Sequence, residues 1–402
     1  MKIHEFQAKR LLTDYGLVVP EGAVAITARE AGEIASRLGH RPVMVKAQIH
    51  AGGRKRAGAV RRAESPAEAE AAAEALIGRT VVTAQTGPAG ATVRRVLVEA
   101  VVPTARELHL ALVIDSSSGE LVLLGSAKGG EDIEERVSSG DVPLARLGLG
   151  AGREPRSEAV AAFANEIGLA GAAHAAGCRL IDGLRRAFVD RDASLIEINP
   201  LAVTASGELI GLDVKMVLDD NALFRHGDLA ALRDEDETSL AELQAQRHQL
   251  NYVELGGDIG MVANGAGLGL ATLDMVVAAS GRPANFMDVR TTATSLDIAH
   301  GFRLLLDRPE TKAILINVHG GGMQPCDTIA EGLGIAMRRT GRVLPLVVRL
   351  AGNNAEFARS RFRNFGCAII ECPDMWSAAT KAVALARQHT RHDARQDARH
   401  GG

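Results

Sequence analysis

From Asn251 onward, short apolar runs alternate with longer amphipathic stretches. The runs Ile259–Ala263, Asn285–Met287, Ala313–Val318, Leu344–Leu350 and Ala368–Glu371 predict strands. The stretches Leu268–Ala279, Leu296–Leu306, Thr328–Arg339, Ala355–Phe365 and Met375–Arg387 predict helices. Strict alternation of this kind predicts a parallel, doubly wound α/β sheet, because parallel strands need crossover helices that cover both faces.

The first 240 residues are less regular. Thr27-Ala28-Arg29-Glu30 reads as a capping box opening a helix that stops near Gly39. Ser65-Pro66-Ala67-Glu68 reads as a second, leading into an Ala/Glu-rich helix to about Ile77. Val43–Gln48, Val93–Val98, Leu108–Ile114 and Leu121–Leu124 predict strands, and Glu158–Ala187 is helical. The polar segment Leu223–Gln249 reads as a connection, dividing the chain into domains of about 1–240 and 250–388. The stretch 389–402 reads as a disordered polar tail.

Composition narrows the class. Of 402 residues, 46% are hydrophobic but only 3% aromatic, so the cores must be built from Ala, Leu, Val and Ile. A formal net charge of −3 gives no global case for nucleic acid. No run of 18 apolar residues argues for a membrane span, and the opening Met1-Lys2-Ile3-His4-Glu5-Phe6 lacks the apolar stretch expected of a signal peptide. The four cysteines form no C-x-x-C pair, which fits a reducing cytoplasm.

Three regions carry candidate chemistry. The loop His50-Ala51-Gly52-Gly53-Arg54-Lys55-Arg56 follows the strand that holds Lys46, and small residues with basic neighbours can wrap a phosphate. In Ile196-Glu197-Ile198-Asn199-Pro200, alternation places Glu197 and Asn199 on one strand face, with Pro200 expected to end the strand. The strand Leu209–Val214 would add Asp213, and two acidic groups with an amide oxygen suit Mg²⁺ and phosphate. In the second domain, Asn264-Gly265-Ala266-Gly267-Leu268-Gly269, His319-Gly320-Gly321-Gly322 and Gly352-Asn353-Asn354 follow successive strands, where ligands of such sheets bind. The first of these, with Asp288 beyond it, also resembles a dinucleotide fingerprint, but Leu270 stands where its last glycine belongs.

These motifs, together with Ile3-His4-Glu5-Phe6-Gln7-Ala8-Lys9, Asp219–Arg225 and Val348–Glu356, resemble the beta subunit of succinyl-CoA synthetase, in order from about residue 1 to 387. The related malate–CoA ligases share the pattern. The resemblance implies an ATP-grasp domain followed by a flavodoxin-like CoA-ligase domain. It implies the reaction carboxylate + CoA + ATP giving acyl-CoA + ADP + phosphate, through a phosphohistidine on a partner alpha subunit that also carries the CoA site. By carry-over, Lys46, Gly53 and Arg54 meet the ATP phosphates, and Glu99, Val102 and Glu107 the base and ribose. Asn199 and Asp213 hold Mg²⁺, and Glu197 orients the incoming histidine. Asn264, Gly321, Gly322 and Met323 fall at the acyl-substrate end.

Three departures from the family stand out. Lys55-Arg56 replaces Gly-Lys in the phosphate loop; Arg290-Thr291-Thr292 replaces a triple glycine; and Gly320-Gly321-Gly322-Met323-Gln324-Pro325-Cys326 is one residue longer than usual. The last two predict an altered acid pocket, in which Arg290 offers a fork to an anion and succinate is not the best substrate. The competing readings are a different ATP-grasp ligase, which has no need of the second domain, and a non-catalytic binding homologue that keeps the fold.

Overall fold

The computed structural model describes residues 1–400 except 40, 89, 131–132, 151–155, 235–238 and 322–323, with only the backbone of 134 and 390–400. The chain divides into two compact units, Met1–Glu237 and Thr238–Gly402.

The first unit is built on two antiparallel sheets. In the larger, the strands Lys2–Ile3, Val214–Leu218, Ala193–Val203, Arg106–Ile114, Leu121–Ser126 and Ala145–Gly148 lie side by side, and Leu209–Gly211 also pairs with Ala193–Val203. One face is apolar: Leu108, Leu110, Leu112, Ile196 and Ile198 pack against Phe163, Leu180, Leu184 and Phe188 of the helices Ser157–Glu166 and Ala172–Asp190. The opposite face keeps Glu107, His109, Glu197 and Lys215, as strand alternation requires. The smaller sheet orders Gly22–Ala25, Val96–Ala100, Val43–Ala47 and Val60–Ala63, covered by the helices Ala28–Arg37 and Pro66–Glu74. Both helices start at the expected caps, where the Thr27 and Ser65 hydroxyls accept the Glu30 and Glu68 N–H groups.

Two local expectations for this unit change. Pro200 does not end its strand, which runs on to Val203 through a register irregularity between Ile198 and Leu201. A proline fits there because an irregularity frees one position from donating to the ladder. Asp213 lies not within a strand but in the bend Leu212-Asp213 between Leu209–Gly211 and Val214–Leu218.

In the second unit, five parallel strands follow in chain order: Ile259–Ala263, Asn285–Val289, Ala313–Gly320, Leu346–Gly352 and Ile369–Glu371. Counted 1 to 5, their spatial order is 2-1-3-4-5, the flavodoxin-like winding. The helices on the two faces bury separate clusters, one with Phe302, Leu333 and Phe362 and one with Val276, Ala379 and Val383. The sequence reading missed Leu250–Glu254, which adds antiparallel to strand 2 as an edge, and the helix Leu240–Arg247 before it. Both are short and polar enough to read as linker. The last helix runs Met375–His400, through the segment expected as a disordered tail, whose Ala, Arg and Gln favour helix. Among the described residues no helix is long and apolar enough to cross a membrane.

One close approach fixes how the helix Ala172–Asp190 meets the chain before it. A Cβ on Gly183 would lie 1.9 Å from the Tyr15 carbonyl oxygen. Gly183→Ala should therefore destabilise the protein by about 1–3 kcal/mol, although alanine is the better helix former. Gly267→Ala, where no atom lies within 4 Å, should not. Denaturant midpoints of the two variants check this.

Candidate functional site

The first helix, Glu5–Thr13, turns Glu5, Ala8, Lys9 and Leu12 inward. That is the i, i+3, i+4, i+7 stripe of a core-facing helix, with two charges set into it. Glu5 becomes the hub of an ion cluster. Its Oε1 lies 3.0 Å from both Lys46 Nζ and Lys9 Nζ, and its Oε2 accepts from Arg54 Nη2 at 2.7 Å. Glu99 accepts from Lys9 Nζ at 2.6 Å and pairs with Lys46 as well. Arg54 reaches onward to both oxygens of Asp213, at 2.9 and 2.8 Å, and donates to the Ala47 carbonyl. Three cations thus face three carboxylates, and five of the six residues are 6% exposed or less.

Burial alone would push the Glu5 carboxyl up, but Lys46, Lys9 and Arg54 outweigh it and hold it well below the usual range. Burial likewise works against the charges of Lys46 and Arg54, and the facing carboxylates raise both above their ordinary values. All six groups sit in a pairing that keeps each charge compensated.

Beside the cluster opens a cleft of about 890 Å³, a size suited to a nucleotide. Its lining includes every residue of the first unit that the sequence singled out: Lys46, Gly53, Arg54, Glu99, Val102, Glu107, Glu197, Asn199 and Asp213. Gly53 takes φ +73° in the turn after Lys46, a left-handed conformation natural to glycine. The neighbouring Gly52 N–H is held by Gln85 Oε1 at 2.8 Å. Glu197 is bound by Lys215 Nζ at 3.0 Å, with His109 Nε2 3.6 Å away. Burial would raise its carboxyl, but His109 and Lys215 outweigh it and bring it down to about 2, so Glu197 is ionised at neutral pH.

Asn199 and Asp213 are adjacent, the Asn199 N–H donating to the Asp213 carbonyl at 3.0 Å. The Asn199 amide also clasps the Gly130 backbone in both directions. No group of three His, Cys, Asp or Glu side chains suited to a metal exists among the described residues. A magnesium–nucleotide site needs fewer, since Mg²⁺ typically takes one or two protein oxygens and completes its shell from phosphates and water. The partly exposed Asp213 carboxylate and the Asn199 amide oxygen fit that requirement.

Sequence reasoning missed Glu5, Lys9, His109 and Lys215. The signal for the first two was present, as charges on the buried stripe of an amphipathic helix.

The second unit presents Asn264, Gly265 and His319 at the carboxyl ends of strands 1 and 3, where the strand order reverses. The half-buried Asn264 amide is engaged at both ends: its Nδ2 donates to the His319 carbonyl at 2.7 Å and its Oδ1 accepts the His319 N–H at 2.9 Å. Gly321 is exposed, whereas Gly322 and Met323 lie outside the described residues. Asp288 accepts the Gly265 N–H and the Asn251 amide and is 7% exposed, so it is not presented to a ribose. Arg290 does not supply the anion fork read from the sequence. Its Nε and Nη2 both donate to Asn251 Oδ1, on the antiparallel edge strand, away from the reversal point.

Family models match both parts of the chain, an ATP-grasp domain over residues 2–203 and a CoA-ligase domain over 262–383. The chain is 44% identical over 389 residues to the succinate–CoA ligase [ADP-forming] subunit beta of Anaeromyxobacter dehalogenans, covering 96% of this chain and 100% of that protein. It is 42% identical over 401 residues to the subunit of the same name from Acidiphilium cryptum, again covering 96% and 100%. Among solved structures, ATP citrate lyase from Methanothrix soehngenii in complex with citrate and coenzyme A shares the fold, with a TM-score of 0.71 at 19% identity over 96% of this chain and 99% of that one. The chain belongs to the beta subunits of the ADP-forming succinate–CoA ligase family.

Proposed function

We propose that the chain binds Mg·ATP in the cleft of its first unit and passes the γ-phosphoryl group to a histidine of a partner alpha subunit. The overall reaction is carboxylate + CoA + ATP giving acyl-CoA + ADP + phosphate. The observation that carries this reading is the convergence of Lys46, Gly53, Arg54, Glu99, Glu197, Asn199 and Asp213 on one cleft. Phosphoryl transfer needs little covalent chemistry from a protein; positioning and charge stabilisation do most of the work.

Each residue has a role that its surroundings allow. Lys46 and Arg54, held charged by Glu5, Glu99 and Asp213, face the phosphates, and the left-handed turn at Gly53 lets the backbone approach them closely. Glu99, Val102 and Glu107 line the cleft and would meet the base and ribose. Asp213 and Asn199 would hold Mg²⁺, which neutralises charge on the phosphoryl oxygens. Glu197, ionised and fixed by Lys215, accepts a hydrogen bond from the incoming imidazole and stabilises its cationic form. At the acid end of the second unit stand Asn264 and Gly321, with Gly322 and Met323 following in sequence.

Two outcomes are expected. The purified chain should bind Mg·ATP, while acyl-CoA formation should require the alpha subunit; calorimetry and a coupled ADP assay with and without the partner decide this. Acyl-CoA made by the chain alone would refute it. Asp213→Ala should cut ATP use by about 10²–10³-fold, from loss of a metal ligand. Glu197→Gln should leave the ATP Kd unchanged but block phosphorylation of the partner. A wild-type phosphorylation rate in Glu197→Gln would remove Glu197 from the transfer step.

A further inference from the structure

We propose that Gln85 is a positioning residue for the nucleotide: it holds the loop after Lys46 in the form that leaves three successive N–H groups open to the ATP phosphates. This rests on the reading of the cleft as an Mg·ATP site and adds to it a residue that the resemblance did not assign. The starting point is the backbone of that loop. The carbonyls of Gly53, Arg54 and Lys55 are used within it, accepting from the Ala57, Ala59 and Gly58 N–H groups at 3.1, 2.8 and 2.9 Å. The N–H groups of Gly53, Arg54 and Lys55 themselves donate to no acceptor among the described residues. Successive unengaged N–H groups form a concavity that attracts an anion. Gly52, one residue earlier, is different: its N–H is taken by Gln85 Oε1 at 2.8 Å.

Gln85 comes from a hairpin that grips the loop at both ends. Its strands, Thr80–Val81 and Ala91–Thr92, form a two-stranded sheet of their own. Their connection, 82–90, brings Val82, Thr83, Ala84 and Gln85 into the cleft lining. At the base of the hairpin, Arg79 Nη2 donates to the Ala57 carbonyl at 3.3 Å, at the far end of the loop. The turn that carries Gln85 is braced by its own threonines. Thr83 Oγ1 accepts from the Gln85 and Thr86 N–H groups, both at 3.2 Å, and Thr86 Oγ1 accepts the Thr83 N–H at 2.8 Å. Hydroxyl-to-backbone bonds of this kind fix a turn that has little burial to hold it.

The glycine at 52 makes the contact close. A Cβ there would lie 3.0 Å from Gln85 Nε2 and 3.2 Å from its Oε1, so a bare backbone lets the amide lie against the loop. Arg54 ties the middle of the loop to Glu5 and Asp213. The loop is thus held at Gly52, Arg54 and Ala57, and the open N–H groups lie between the outer two holds. Without the Gln85 bond, Gly52 and Gly53 regain the freedom that glycine has in excess of other residues. That freedom must then be lost again when phosphates bind. The loss falls on the phosphate end of the nucleotide and spares the base.

The test uses the full chain and compares wild type with Gln85→Met, which keeps the length but has no amide acceptor, and Thr83→Val, which keeps the shape but removes the brace. Affinities for Mg·ATP and for AMP are measured by calorimetry, AMP by displacement of Mg·ATP. Gln85→Met should weaken Mg·ATP by about 3–10-fold, the worth of one hydrogen bond, and AMP by less than about twofold. Thr83→Val should shift the ratio of the two affinities in the same direction by less. Equal losses for Mg·ATP and AMP would reduce Gln85 to a general structural role and overturn the proposal. So would unchanged affinities in Gln85→Met, or tighter Mg·ATP binding, which would show the glutamine competing with the phosphates for the Gly52 N–H. Failure of wild type to bind Mg·ATP would instead contradict the proposed function.

Discussion

The first unit depends on a buried carboxylate. Glu5 lies where an apolar side chain would ordinarily pack, and it holds Lys46, Lys9 and Arg54 within 3.0 Å. Without it, three buried cations would share only Glu99 and Asp213, and an uncompensated buried charge costs several kcal/mol. The cluster also joins separate pieces of the chain. Glu5 and Lys9 come from the first helix, Lys46 and Glu99 from the smaller sheet, and Asp213 from the bend that follows the strand Leu209–Gly211 of the larger one. The same contacts that hold the two sheets together therefore set the positions of the cations that line the cleft.

Glu197 shows the same logic on a smaller scale. A strand position beside Lys215 and His109 keeps its carboxylate charged, with the side chain 14% exposed. Charge is kept at the cleft wall by pairing rather than by solvent. The second unit uses backbone instead. A Cβ at Gly320 would lie 2.3 Å from the Asn353 carbonyl oxygen, so the ends of strands 3 and 4 meet closely enough to form a floor of peptide groups.

Much of this was legible in the sequence because local rules decide it. The parallel, doubly wound sheet of the second unit followed from alternating apolar runs and helices, its flavodoxin-like order from the family resemblance, and the caps at Thr27 and Ser65 from their Glu three residues on. The residues of the cleft were found through loop composition, strand alternation and the family resemblance together. What stayed hidden depends on tertiary pairing. The strand Leu250–Glu254 is defined by its register with Asn285–Val289, not by its own pattern. Arg290 looked like an anion fork until Asn251 on that strand proved to be its partner. Nor does the sequence show that the Asn264 amide closes on the His319 backbone across 55 residues of chain.

The most direct test of the central claim is the opening free energy of the first unit with Glu5 replaced by Gln, which keeps the shape and removes the charge. Hydrogen exchange of the amides in the strand Val43–Ala47, measured in the full chain, reads that quantity. A carboxylate that compensates three buried cations predicts a loss of about 3–5 kcal/mol. Opening free energies within about 0.5 kcal/mol of wild type, the range of an ordinary surface substitution, would contradict it.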